Sequence, residues 1–145
     1  MDRVHFLKLL GFSCVSASFP AFIAGCTSVH YIRAVSEGNK LGVKKSEFNF
    51  EKKEVILERR FIVVESPSLK FPVALYKKQD GNFLALSMEC THQGCEVKPH
   101  DEALTCPCHG SEFDTLGSVL EGPAEFALKE YNVSTDNQMI YVHLS

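Results

Sequence analysis

Six residues within one twenty-residue stretch carry the chemistry of this chain: Cys90, His92, Cys95, Cys106, Cys108 and His109. They fall into two segments, Cys90-Thr91-His92-Gln93-Gly94-Cys95 and Cys106-Pro107-Cys108-His109-Gly110-Ser111, with thirteen residues between His92 and Cys106. The first segment is C-x-H with a further Cys three residues on. The second is C-x-x-H with a Cys inside it. A single cysteine is ordinarily a small buried hydrophobe. Four cysteines interleaved with two histidines point instead to metal ligation, a disulfide framework, or both. Two Cys and two His suffice for a tetrahedral zinc site. Against zinc stand the extra cysteine in each segment and the C-x-H spacing, which is uncommon for that metal. His5, His30, His100 and His143 have no such pattern around them and read as ordinary histidines.

The two segments together resemble the cluster-binding loops of the Rieske iron–sulfur family, in its disulfide-containing, cytochrome bc-type branch. That resemblance implies one [2Fe–2S] cluster per chain, with two Cys thiolates on one iron and two His imidazoles on the other. Carried onto this sequence, it makes Cys90 and Cys106 the ligands of one iron and His92 and His109 those of the other. It also implies a Cys95–Cys108 disulfide between the loops and a Ser111 hydroxyl donated to a bridging sulfide. Gly94 and Gly110 follow the ligands, where tight turns let backbone N–H groups face the cluster sulfurs. Phe113-Asp114, Gly117, Val119 and Gly122-Pro123-Ala124 resemble the rest of the family pattern, with Pro123 in a loop that shields the cluster. The likeness is sharp over residues 90–124 and diffuse over 46–145.

Neutral imidazole in place of thiolate removes negative charge and raises the reduction potential. The implied function is therefore one-electron transfer, by a membrane-anchored carrier facing the periplasm. Such a carrier serves a quinol-oxidising cytochrome bc-like complex or a periplasmic redox enzyme, so the implied partners are redox proteins, a membrane cytochrome among them. Two features depart from the quinol-oxidising members. Gln93 stands where they commonly have leucine, and the spacer between the loops is shorter. The alternatives are a ferredoxin component of an oxygenase, which the implied disulfide opposes, and a structural zinc-binding module. No nucleophile–base arrangement is evident, which favours an electron-transfer protein over an independent enzyme.

Loops of this kind need a scaffold, and the flanking sequence predicts strands. Phe61–Val64, Pro72–Tyr76 and Phe83–Leu86 are short β-branched or apolar runs, and Asp80-Gly81 between the last two is a hairpin signal. Lys129–Val133 and Met139–Val142 flank Thr135-Asp136-Asn137, a second hairpin. No segment of the domain keeps an apolar 3.6-residue period over three turns. The expected fold is all-β: a compact antiparallel sandwich or barrel with the cluster-binding loops projecting from one end.

Residues 1–25 read as an export signal, with Arg3 and Lys8 ahead of an apolar stretch from Leu9 to Ala24. Ile23-Ala24-Gly25-Cys26 resembles a bacterial lipobox, which makes Cys26 the lipidated residue. Asp2-Arg3-Val4-His5-Phe6-Leu7-Lys8 looks like a degenerate twin-arginine signal, with Val4 in place of the second Arg. Residues 26–45 are polar and irregular and read as a tether, leaving 46–145 as the domain. The expected location is the outer face of the cytoplasmic membrane or the periplasm, through a lipid anchor. The net charge of −3 argues against a nucleic-acid partner, which selects a basic surface.

Overall fold

The computed structural model describes residues 28–145. The expected export signal and the lipidation at Cys26 lie outside the described residues. Fifteen strands follow one another: β1 (Tyr31–Arg33), β2 (Ser36–Glu37), β3 (Lys40–Lys44), β4 (Asn49–Lys52), β5 (Val55–Glu58), β6 (Phe61–Glu65), β7 (Val73–Lys77), β8 (Phe83–Ser87), β9 (Lys98–Pro99), β10 (Ala103–Thr105), β11 (Glu112–Asp114), β12 (Val119–Glu121), β13 (Glu130–Tyr131), β14 (Val133–Thr135) and β15 (Met139–His143). A single 3₁₀ turn, Lys45–Phe48, joins β3 to β4. The all-β expectation holds.

A five-stranded sheet in the order β1-β6-β7-β8-β13 forms the middle layer. Strands β6 to β8 read as nearly unbroken apolar runs because both faces of this sheet are covered. Their side chains alternate between two cores, as the period of two requires. Ile62, Val64, Val73, Leu75 and Ala85 face one way and pack with Leu41, Val43, Phe48, Ile140 and Val142. Val63, Ala74, Tyr76, Leu84 and Leu86 face the other way and pack with Met88, Val97, Leu104, Phe113, Cys90 and Cys106. The first core is closed by a four-stranded sheet, β14-β15-β3-β2, and the second by another, β12-β11-β10-β9. The second core thus carries the scaffold directly to the two cysteines.

The predicted hairpins form. Lys78 N–H donates to Asn82 O across the β7–β8 turn, with Gly81 at φ 84°. At the β14–β15 turn, Asp136 Oδ1 accepts from the N–H groups of Gln138 and Met139.

Three features correct the sequence reading. Residues 31–44 are strands rather than tether: β1 pairs with β6 and β3 with β15. Leu41 and Val43 are fully buried, alternating with Gly42, where a Cβ would meet Met139 Cε at 3.3 Å. Glycine and lysine diluted this inward-facing pair below the level at which a strand is legible. The domain therefore extends at least to Tyr31 instead of starting at Ser46. Second, the β1–β6 pairing is parallel within an otherwise antiparallel fold. Third, Lys129–Val133 is not one strand: the chain crosses between sheets at Asn132, leaving β13 on β8 and β14 on β15.

Candidate metal centre

Both cysteine–histidine segments are loops of the same local design. In the first, Cys90 N–H donates to Cys95 O at 2.8 Å and Gly94 N–H to Cys90 O at 2.9 Å. In the second, Cys106 N–H donates to Ser111 O at 2.8 Å and Gly110 N–H to Cys106 O at 3.0 Å. Each loop folds back on its own first cysteine and closes through a glycine four residues on, at φ 71° for Gly94 and 80° for Gly110. Those left-handed conformations suit glycine. The shared signal is C-x-x-x-G followed by Cys or Ser, a repeat that sequence reasoning missed although it was present in the letters. The first loop hangs between β8 and β9, and the second between β10 and β11.

Cys95 and Cys108 are joined in a disulfide between the loops. The Sγ atoms of Cys95, Cys106 and Cys108 lie within 4.8 Å of one another. Because two of these three sulfurs are bonded to each other, the thiols left for a metal are Cys90 and Cys106. Both are 2 % exposed, and they are the free cysteines among the described residues. Burial pushes the Cys90 thiol up, and the neighbouring Cys106 sulfur adds to this. The backbone N–H groups of His92 and Gln93 donate to Cys90 Sγ and pull the other way. A thiolate there is costly without a cation and well placed with one.

The two imidazoles converge as well. The rings of His92 and His109 are 4.9 Å apart between centroids and perpendicular. Among the described residues, two buried side-chain polar atoms lack a partner, Tyr76 Oη and His92 Nδ1. A buried imidazole nitrogen without a hydrogen bond is expensive unless it binds a metal. The donor set of two adjacent buried thiols, an orphaned imidazole nitrogen and a second, exposed imidazole fits a cluster with two S and two N ligands.

Ser111 is fully buried, and its Oγ accepts from Ala124 N–H at 2.9 Å. The hydroxyl proton is thereby left to donate elsewhere. The same bond ties the second loop to the Gly122–Ala124 segment, whose Gly122–Pro123 peptide is cis. Thr91 Oγ1 donates to Phe126 O at 2.6 Å and ties the first loop to the chain just beyond. Phe113 is fully buried in the same core as Cys90 and Cys106. The remaining described histidines have ordinary partners: His30 meets Glu47, His100 meets Thr105 and His143 meets Ser134.

Paired cysteine and histidine loops cross-linked by a disulfide, at one end of a layered β-domain, have the make-up of an iron–sulfur site with mixed sulfur and nitrogen ligands. The chain belongs to the Rieske family: residues 31–132 match the model of the Rieske [2Fe-2S] domain. It is 46% identical over 55 residues to the cytochrome b6-f complex iron-sulfur subunit of Synechococcus sp. (strain CC9605), covering 37% of this chain and 31% of that protein. It is 37% identical over 75 residues to the cytochrome b6-f complex iron-sulfur subunit 2 of Trichormus variabilis, covering 49% and 42%. The chain thus spans less than half the length of these relatives. The crystal structure of the cyanobacterial plasma membrane Rieske protein PetC3 from Synechocystis PCC 6803 superposes with a TM-score of 0.50 at 34% identity, over 57% of this chain and 85% of that one. The cofactor of this chain is the [2Fe–2S] cluster of the Rieske domain. Neither the oxygenase-ferredoxin nor the zinc-module reading is favoured.

Proposed function

We propose that the chain carries single electrons for a membrane quinol-oxidising cytochrome complex, held at the outer face of the membrane by lipid on Cys26. Cys90 and Cys106 would hold one iron of the cluster, and His92 and His109 the other. When bound there, the cluster supplies a one-electron couple. The chain's own residues set the terms of that couple. Cys90 and Cys106 keep one side dry, while exposed His109 gives a partner an imidazole edge to approach. The N–H groups of His92 and Gln93 lower the cost of negative charge on Cys90. Ser111 offers a hydroxyl proton from a fully buried position.

The observation that carries this reading is the disulfide between two loops that each present one free cysteine and one histidine. The cytochrome-complex relatives support the choice of partner. Among the described residues, no helix is long and apolar enough to cross a membrane, so the anchor rests on the sequence around Cys26. A potentiometric titration of the purified protein tests the reading. Rieske centres span about −150 to +300 mV. A midpoint in the upper half supports quinol oxidation, and one near the bottom contradicts it. The mass of the N-terminal peptide decides the anchor, since a chain starting at Met1 in membrane-bound protein excludes lipid on Cys26.

A further inference from the structure

An apolar rim surrounds the way into the metal centre. Pro107, Pro123, Phe126 and Ala127 are exposed along with His109, and Phe126 is 70% exposed. The Thr91 hydroxyl fixes the Phe126 backbone against the first loop, and Ser111 fixes Ala124, two residues earlier, against the second. The segment that carries Phe126 thus spans both loops. Exposed aromatic side chains on a fixed backbone are enriched where proteins recognise one another.

The charge around this rim has one sign. Glu89, just before Cys90, bridges to Glu96, just after Cys95. Glu112, just after Ser111, stands opposite Glu121 in the β11–β12 register. Like charges directly opposite on neighbouring strands destabilise a sheet. Lys98 takes up Glu96 at 2.6 Å. The Glu89 carboxylate turns toward its loop, since a Cβ on Gly94 would lie 3.3 Å from Glu89 Oε1. Residues 89–96 and 107–126, which hold both loops and the chain across them, carry six carboxylates and no lysine or arginine. Lys129, the next cation along the chain, lies over the Tyr131 ring at 4.7 Å.

The opposite end of the middle sheet has the other balance. Lys44, Lys45 and Glu58 line a groove with Lys77 and Phe83, at the end of β7 and β8 remote from Ser87 and the cluster loops. Between Lys44 and Arg60 there are six cations against four carboxylates. The molecule is therefore polarised along its length, negative at the metal centre.

We propose that the metal-centre end is a docking face for a redox protein whose own cofactor edge is ringed by lysine and arginine. Phe126 is the apolar anchor, and Glu89, Glu112, Glu121 and Glu125 are the charges that steer the partner. Charge complementarity selects this occupant: a cationic face is drawn to the carboxylates and relieves the Glu112–Glu121 repulsion, while an anionic face is repelled. The proposal rests on the electron-carrying reading above and needs neither the anchor nor a particular membrane complex.

Stopped-flow oxidation of the reduced, full-length protein by a lysine-rich cytochrome c tests it, beside the same cytochrome with its lysines succinylated. One electron passes from cluster to ferric haem, so one haem is reduced for each cluster oxidised. Steering raises association rates about 10–10³-fold at low ionic strength, so the rate with the native cytochrome should fall at least about tenfold as salt screens it. The succinylated form should react more slowly at low salt and gain with added salt. Glu112→Gln with Glu121→Gln should slow the native cytochrome several-fold at low salt and leave the high-salt rate alone. Glu51→Gln with Glu54→Gln, which removes equal charge at the β4–β5 hairpin, should change neither. Phe126→Ala should slow the reaction at both salts, because apolar contact is not screened. Carbodiimide coupling of the two proteins, mapped by mass spectrometry, reads the face independently of the rates, and links should fall on Glu89, Glu121 or Glu125. Equal slowing by the two glutamine pairs would mean steering by net charge and overturns the face, as do links confined to Glu51 and Glu54. Wild-type rates in Phe126→Ala overturn the anchor. A cluster that fails to cycle with uncharged mediators overturns electron carriage and docking together. One that cycles, but meets both cytochromes at equal and salt-independent rates, overturns the docking alone.

Discussion

Strands β6, β7 and β8 run five residues each, whereas β9 to β12 run two or three. The core beside the outer β3–β15 sheet is made of aliphatic and aromatic side chains contributed by long strands. The core beneath the cluster ends in two thiols, and beyond it the loops expose Pro107, Cys108, His109 and Gly110. Apolar burial is enough to hold the first region. The loops beyond the second core expose residues 107–110 and rely on cross-links: one disulfide, the bonds to a cluster, and the turn hydrogen bonds that close each loop. The difference teaches that potential and cluster retention can be changed at one end while the other stays folded.

The largest expected effect divides the two regions outright. Cys106→Ser removes one of the two free buried thiols, and no cluster should survive. The circular dichroism of the β-layers should persist, since nothing in the β3–β15 core touches the site. Loss of both cluster and β-signal would show that the two ends do not fold separately. Leu41→Ala probes the opposite end. Truncating a fully buried leucine costs about 2–5 kcal/mol, so denaturant midpoints should fall while the cluster spectrum per folded molecule stays the same. The double variant Cys95→Ser, Cys108→Ser opens a cross-link with a sequence separation of 13. Closure of a loop near that size is worth roughly 3 kcal/mol. Faster cluster loss under chelator, with the β-layers unmelted, is the expected readout.

Smaller changes should move the potential without moving the ligands. A hydrogen bond to sulfur favours the more negative, reduced state, and one bond of about 0.5–1.5 kcal/mol is roughly 20–65 mV for one electron. Ser111→Ala should lower the midpoint by an amount in that range. Phe113→Tyr should raise it, by supplying a hydroxyl from a fully buried position beside the two thiols. Opposite signs in paired titrations at one pH are the expected outcome. A shift of the same sign would mean that one of these side chains does not face the cluster. The smallest effect belongs to the outer sheet. Backbone N–H groups of Met139 and Gln138, then the Tyr141 hydroxyl, hold the Asp136 carboxyl below its usual range. A lowered pKa gives stability above the ordinary carboxylate range that is lost as pH falls through the folded value. Asp136→Asn should remove that part of the acid-side slope, measured as the change in denaturation midpoint between pH 6 and pH 3.

The cluster end was the more legible region because its chemistry is written in rare letters at fixed spacing. The rings of His92 and His109 meet, Cys90 and Cys106 are free and buried in one core, and Cys95 and Cys108 pair as the resemblance implied. The scaffold was legible where apolar runs are unbroken, as in β6 to β8, and not where they are diluted. Leu41 and Val43 alternate with glycine and lysine, and β1 owes its place to pairing with β6 rather than to any pattern of its own. The split at Asn132 was illegible for a similar reason: the switch between sheets is a tertiary event within a uniform local sequence.

The central claim is the mixed ligand set, and pulsed electron paramagnetic resonance of the dithionite-reduced protein tests it most directly. With His92 and His109 on one iron, the spectrum should show couplings to two imidazole nitrogens, alongside two irons and two acid-labile sulfides per chain. A reduced cluster with no nitrogen coupling, or a purified protein holding zinc in place of iron, would contradict the account.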